Sequence, residues 1–276
     1  MIRGFGDLAT RALPHVRQGA EVMGVSRHPE RLSDATHKRI YGDYSSVEGL
    51  AEAAKTQPDY LIFTPVPSSR DVTGYSQGYA KAAQNIADAG LLKGVRRAIF
   101  VSSTRVYAEK SGGWVEEDSP LAAGDPFVDA LLTAEACFRR SVTTTVVRPS
   151  GLYDGANPIM LRPILEGRSS RINDGFTNRI HRDDAAAVIA ELVKRDIRGE
   201  RLPATLNLND DTPVTTRELE NWCFSTLGRE PLGERDNQPR ANRRVSNAKL
   251  RAMGMSLRYP SFREGYEGAL SLAASS

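Results

Sequence analysis

The chain has 276 residues, 40% of them hydrophobic, and its 37 basic and 34 acidic side chains leave a formal net charge of +3. That length suits one α/β unit or two joined lobes, and the apolar content excludes global disorder. No run approaches the ~18–20 uninterrupted apolar residues that span a bilayer, and so balanced a charge calls for neither nucleic acid nor an anionic membrane.

Short β-rich runs alternate with helical stretches through the first half, the pattern of βαβ units and a parallel sheet. Met1-Ile2-Arg3 leaves almost no strand before the first glycine, as a truncated or misassigned start would. A helix is expected over Asp7–Gln18, kinked at Pro14. Strands follow at Glu21–Ser26, Lys38–Gly42, Tyr60–Thr64, Arg97–Ser102 and Thr143–Arg148. Their nearly continuous apolar residues, such as Ile99-Phe100-Val101, suit a sheet covered on both faces. Between them Ser45–Thr56, Tyr75–Gly90 and Phe127–Ser141 read as helices, the first capped from Asp43–Ser46 and the second stopped at Gly90. Beyond Pro149 the pattern loosens, with helices at Asp183–Arg195 and Thr215–Leu227 and a strand at Thr205–Asn209.

Gly4-Phe5-Gly6-Asp7-Leu8-Ala9 fits G-x-G-x-x-[G/A], in which glycine lets the backbone approach a pyrophosphate held at the next helix N-terminus. A glycine turn of some unrelated α/β protein is the plainer reading; the strand that follows argues for the nucleotide. At the end of the second strand an NAD site usually carries an acid for the ribose hydroxyls, whereas arginine suits a 2′-phosphate. Ser26-Arg27-His28 stands there, with Arg31 one turn on, so NADP is favoured, with NAD possible and solvated arginines as the alternative. Asp43 after the third strand is placed to meet adenine or to cap a helix, and Thr64 at the end of the fourth joins the cofactor set.

With Val101-Ser102-Ser103-Thr104-Arg105-Val106-Tyr107, Arg148-Pro149-Ser150-Gly151-Leu152-Tyr153, Arg179-Ile180-His181-Arg182-Asp183-Asp184 and the ending Ser246–Leu250 then Pro260–Gly265, the chain resembles the extended or atypical short-chain dehydrogenase/reductases. These are the NAD-dependent epimerase/dehydratase group, and the resemblance covers nearly the whole length. It implies an α/β fold with a Rossmann-type doubly wound parallel sheet and a smaller C-terminal substrate lobe. Residues 1–150 would form the dinucleotide-binding domain, with 179–210 returning to it. Residues 151–178 and 211–276 would form the substrate lobe, the two sharing a cleft. By the same resemblance Ser103 supplies a hydroxyl to the reacting oxygen, and Pro149 and Ser150 pass beside the nicotinamide. His181, Asp183 and Asp184 cap the next helix and brace the lobes. A homodimer through the long helices is a further implication.

One departure stands out. The family's Tyr-x-x-x-Lys pair, aligned through Glu135, falls on Phe127 and Leu131, neither of which moves a proton. Two functions follow. One is an NADP-dependent oxidoreductase or epimerase acting on a small carbonyl or nucleotide-sugar-like substrate, its proton drawn from Tyr153, Tyr107 or water ordered by Ser103. The other is an NADP-binding sensor that has lost catalysis.

The stretch Arg240–Arg251 holds five bases and no acid. A solvated helix face is the plainer reading, a phosphate rim carried by Arg243 and Arg244 the sharper one. Cys137 and Cys223 alone make no disulfide framework and no metal-ligand spacing, and with no export signal at the N-terminus a cytoplasmic protein is expected.

Overall fold

The computed structural model describes residues 1–17, 20–32, 36–154, 161–169, 175–231, 233–234 and 242–274. The chain divides into two units, the first formed by residues 1–106, 121–148 and 185–206, the second by 107–120, 149–184 and 207–276.

In the first unit six strands pair in parallel: β1 (Ile2–Phe5), β2 (Val22–Ser26), β3 (Lys38–Tyr41), β4 (Tyr60–Phe63), β5 (Arg97–Val101) and β6 (Thr144–Pro149). With β7 (Thr205–Leu208) at one edge, the order is β7-β6-β5-β4-β1-β2-β3. The chain winds outward from β1 to β3, returns beside β1 as β4, and winds the other way. This is the doubly wound arrangement, with its switch point between β1 and β4. Every residue of β4 is buried, as a strand covered on both faces requires. Its Phe63 stacks on Phe138 at 5.4 Å between ring centres, and Phe100 of β5 meets the same ring at 4.9 Å.

The first strand fills the short run before the glycine turn. It is four residues long, takes in Gly4, and hydrogen-bonds to β2 on one side and β4 on the other. What hides it in the sequence is Arg3, fully buried, whose Nη2 donates to the Thr56 carbonyl at 2.5 Å. Desolvation pulls its pKa down to about 10. Helix α1 (Asp7–Val16) buries Leu8, Ala9, Ala12, Leu13 and Val16, one face of a 3.6-residue period, and runs on through Pro14. The expected end of that helix at Gln18 lies outside the described residues.

The helix expected over 45–56 shrinks to a 3₁₀ turn at Glu48–Leu50 and a single turn, α2 (Ala51–Ala54). Side chains claim the backbone ahead of it: Asp43 Oδ1 accepts the Ser45 amide at 2.9 Å and Ser46 Oγ the Gly49 amide at 3.0 Å. The next helix begins earlier than expected, at α3 (Val72–Tyr75), where Asp71 caps it through the Gly74 amide. It widens into a π-helical stretch over Ser76–Lys81, then ends as α4 (Ala82–Asp88), with Gly90 at φ +75° just beyond. Helix α5 (Pro126–Ser141) starts at Asp125, whose carboxylate accepts the Phe127 and Val128 amides. The helix Arg182–Ile197 sends its later residues into this unit, where Asp196 binds Arg97 at 2.7 Å and the Tyr60 hydroxyl at 2.9 Å.

The second unit is made of short pairings. Trp114–Val115 lies parallel to Arg244–Val245, Gly151–Tyr153 to Arg179–His181, and Phe176–Thr177 runs antiparallel to Val214–Thr215. Its core gathers Tyr153, Ile164, Leu219, Phe224, Phe262, Tyr266 and Leu270. The helix Thr216–Leu227 opens on a capping box between Thr215 and Glu218. The division differs from the expected one. Residues 107–120, 179–184 and 207–210 belong here, because Trp114–Val115 pairs with Arg244–Val245, Arg179–His181 pairs with Gly151–Tyr153, and Asn209 Nδ2 donates to the Val245 carbonyl at 2.7 Å. Asp184 accepts the Arg258 and Tyr259 amides at 2.8 and 2.9 Å, and His181 Nδ1 accepts the Asp183 amide at 3.2 Å. Both side chains are thus spent on backbone inside this unit.

Candidate dinucleotide site

Because the strands of the first unit are parallel, their C-terminal ends share one edge of the sheet. Ligands of doubly wound folds sit at that edge, beside the switch point. Gly4 to Gly6 leave β1 there, Thr64 follows β4, Ser26 and Arg27 leave β2, Asp43 follows β3, and Ser102 and Ser103 follow β5.

The glycine turn is fixed by close approaches. A Cβ on Gly4 would stand 2.9 Å from the Cβ of Ala9, so glycine and alanine together let α1 lie close on β1. Gly6 has φ +90°, and a Cβ there would fall 2.6 Å from the Thr64 carbonyl and onto its Oγ1. Thr64, buried, is therefore the wall against which the turn is made. Gly6 is the N-cap residue of α1 and brings no side chain to cap it, which leaves the helix N-terminus suited to an anion. Asp7 in the first helical turn carries the opposite charge and is held by Arg11, Nε to Oδ1 3.3 Å.

One residue past β2, Arg27 is exposed and has no ion-pair partner among the described residues. Arg31 is less available, since its Nε lies 3.7 Å from Glu30. Ser26 Oγ accepts the His28 amide at 3.0 Å and so shapes the turn that presents Arg27. Asp43 is half-buried with one carboxylate oxygen on the Ser45 amide. A close-packed glycine turn and an uncapped helix N-terminus fit the pyrophosphate of a dinucleotide.

After β5, Ser103 is half-buried, and its hydroxyl oxygen accepts the Arg105 amide at 3.1 Å, which leaves its proton to donate. Ser102 beside it is buried and donates to Glu135 Oε1 at 2.6 Å. Arg148 grips the same carboxylate twice, Nε to Oε1 at 3.1 Å and Nη2 to Oε2 at 2.8 Å. In the sequence Glu135 stands out only as the acid that follows the family's Tyr-x-x-x-Lys positions. This buried network, which ties α5 to the ends of β5 and β6, went unread, although Glu135 and Arg148 both interrupt apolar runs. On the same helix Leu131 is fully buried, and Phe127 presents its ring edge-to-face with Tyr75 at 5.1 Å.

The remaining candidates belong to the second unit. Ser150 is buried, its amide donating to Leu208 O at 2.9 Å, and Pro149 precedes it at the end of β6. Tyr107 is fully buried with its hydroxyl on Asn207 Oδ1 at 2.6 Å. Tyr153 lies in the apolar core, its ring where a Cβ on Gly265 would fall, and its hydroxyl reaches Ser261 O at 3.4 Å. Burial drives its pKa up, with Asp210 adding to the shift. To act as acids, these tyrosines must first leave those partners.

The basic stretch is not the helix face expected of it. Arg244–Val245 is a strand, and helix begins only at Ala248. Arg243 is buried, with Nη1 on Tyr107 O at 2.6 Å. Arg244 lies over the rings of Trp114 and Phe176, at 5.2 and 4.9 Å, and donates to Gly112 O. Arg240 lies outside the described residues. Among those residues no cluster of His, Cys, Asp and Glu could hold a metal, and no helix is long and apolar enough to cross a membrane.

Residues 4–196 match the sequence profile of a family described as NAD(P)H-binding. Among solved structures, a protein from Methylobacillus flagellatus described as an NAD-dependent epimerase/dehydratase is 29% identical, with TM-score 0.78 over 100% of this chain and 98% of that one. A human epimerase family protein solved with NADPH is 17% identical, TM-score 0.72, covering 100% and 99%. The UDP-Glc/GlcNAc 4-epimerase of Campylobacter jejuni is 15% identical, TM-score 0.77, covering 100% and 99%. No curated protein matches the sequence.

Proposed function

The chain belongs to the NAD(P)H-binding family, and from that premise we propose that it is an NADP-dependent oxidoreductase or epimerase acting on a small carbonyl or nucleotide-sugar-like substrate. The observation that carries the reading is the shared sheet edge, where the turn at Gly4–Gly6, the open cation of Arg27 and the hydroxyl of Ser103 occur together. The turn and the start of α1 hold the pyrophosphate, Phe5 and Asp7 contributing backbone. Ser26 and Arg27 hold the 2′-phosphate and Asp43 the adenine. When bound, such a cofactor supplies or accepts hydride. The human relative solved with NADPH agrees in kind with this choice.

Ser103 donates its free proton to the substrate oxygen and orients it. A second proton source is needed, because Phe127 and Leu131 provide none of the ~10²–10⁴-fold that a positioned acid or base contributes. A tyrosine or water is a poor base at neutral pH but can still donate a proton, so reduction of a carbonyl is favoured over oxidation of an alcohol. The same two residues favour a second reading, an NADP-binding sensor without turnover. Steady-state NADPH consumption against carbonyls and nucleotide sugars separates the two. The enzyme reading expects turnover in wild type, a fall in Ser103→Ala at unchanged NADPH affinity, and a rise in Phe127→Tyr/Leu131→Lys. Tight NADPH binding without turnover in any of the three favours the sensor.

A further inference from the structure

The turn after β5 carries a cation that the described residues leave without an acid. Ser103 Oγ takes the Arg105 amide, closing a tight turn, and the Arg105 side chain runs to the start of α5. Its guanidinium carbon lies 4.3 Å from the centre of the Phe127 ring and 5.2 Å from that of Tyr75. Arg105 is exposed, while the two rings beneath it are half-buried. Exposed arginines ordinarily sweep many rotamers; here ring contact holds the side chain, and none of the described residues accepts a hydrogen bond from its fork.

Nearby acids are committed to backbone. Asp125 takes the Phe127 and Val128 amides at 2.9 and 3.3 Å, and Asp129 the Gly124 amide at 3.0 Å. Asp71, before α3, takes the Gly74 amide at 2.7 Å and the Ser69 hydroxyl at 2.8 Å. Since Asp125 already caps α5, the helix N-terminus is not left to help bind a dianion. One planar cation, held by stacking, matches one planar monoanion: a carboxylate taken by two parallel N–H bonds.

We propose that Arg105 is the specificity-determining residue of the substrate side, and that the substrate bears a carboxylate alongside its reacting carbonyl. The inference rests on Ser103 as the hydroxyl that meets the reacting oxygen, two residues earlier in the same turn. Phe127, which cannot serve as an acid, then acts as the platform that aims the guanidinium.

The test is calorimetry on protein saturated with NADP, so that no probe is reduced. Pyruvate and D-glucuronate are titrated, each against its uncharged counterpart, methyl pyruvate and D-glucose. At least one acid should bind ten- to a hundredfold more tightly than its counterpart. That preference should vanish in Arg105→Gln, and should fall in Phe127→Ala, where the fork loses its platform. Arg105→Gln removes an exposed side chain and should keep its thermal midpoint and its NADP affinity. No preference for either acid in wild type, absence of all binding included, overturns the proposal, as does a preference that survives Arg105→Gln. Failure of NADP itself to bind is read separately in the first titration and counts against the proposed function; the probes are then compared on the cofactor-free protein.

Discussion

The two edges of the main sheet differ in the cations they leave open. Where β3 and β5 begin, cations meet carboxylates: Asp196 takes Arg97 at 2.7 Å, Arg96 at 3.1 Å and the Tyr60 hydroxyl at 2.9 Å, and Lys38 meets Glu21 at 3.0 Å. Where the strands end, Arg27 and Arg105 stand without an acid among the described residues, and α1 begins without a side-chain cap. A paired charge holds elements together, whereas on the proposed function an open one is held ready for a ligand. The first edge reads as architecture and the second as a binding surface.

That contrast breaks if the first edge proves dispensable. Asp196→Ala leaves Arg97, whose side chain is only 15% exposed, without its carboxylate. Removing one partner of a buried pair costs about 3–5 kcal/mol, so a urea unfolding curve should shift by that order, with NADP affinity of the folded protein unchanged. A shift below about 1 kcal/mol would mean that the network is decoration.

The second unit sharpens the contrast with a third treatment of charge. Asp210 is buried, and only its Oδ1 is occupied, by the Thr212 amide at 3.1 Å. Burial raises its pKa to about 7, against an unfolded value of 3.8. Between those values the folded state holds the extra proton. The residue's contribution to stability is therefore fully present below 3.8, falls as pH rises toward 7, and is lost above it. Asp210→Asn keeps the acceptor for Thr212 and removes the charge. It should be more stable than wild type at pH 8 by about 2–4 kcal/mol, with the gap closing near pH 4. A gap independent of pH would place the titration elsewhere.

Much of the sheet was legible in the sequence, because β4, β5 and β6 are apolar runs that only a twice-covered strand explains. Helices with strong caps, α5 behind Asp125 and Thr216–Leu227 behind Thr215, were legible for the same local reason. The failures are long-range or competitive. Arg3 disguised the central strand, because its desolvation is met by a threonine far along the chain. Asp43 and Ser46 consumed the start of an expected helix. The pairing of Trp114–Val115 with Arg244–Val245 joins distant segments and turned a supposed helix face into a strand. The glycine turn could be read as a turn from its local spacing, and Gly6 takes φ +90° there. Arg105 could not, since the two rings that hold it come from separate helical segments.

The central claim, that the open edge holds NADP through Arg27, is tested most directly by calorimetric titration of NADPH and NADH into wild type and Arg27→Ala. Charge-assisted hydrogen bonds contribute ~1.5–3 kcal/mol, so wild type should prefer NADPH by about ten- to a hundredfold. Arg27→Ala should erase that preference while leaving NADH affinity and the thermal midpoint in place. Equal affinity of wild type for the two cofactors, or a preference untouched by the substitution, would contradict the account.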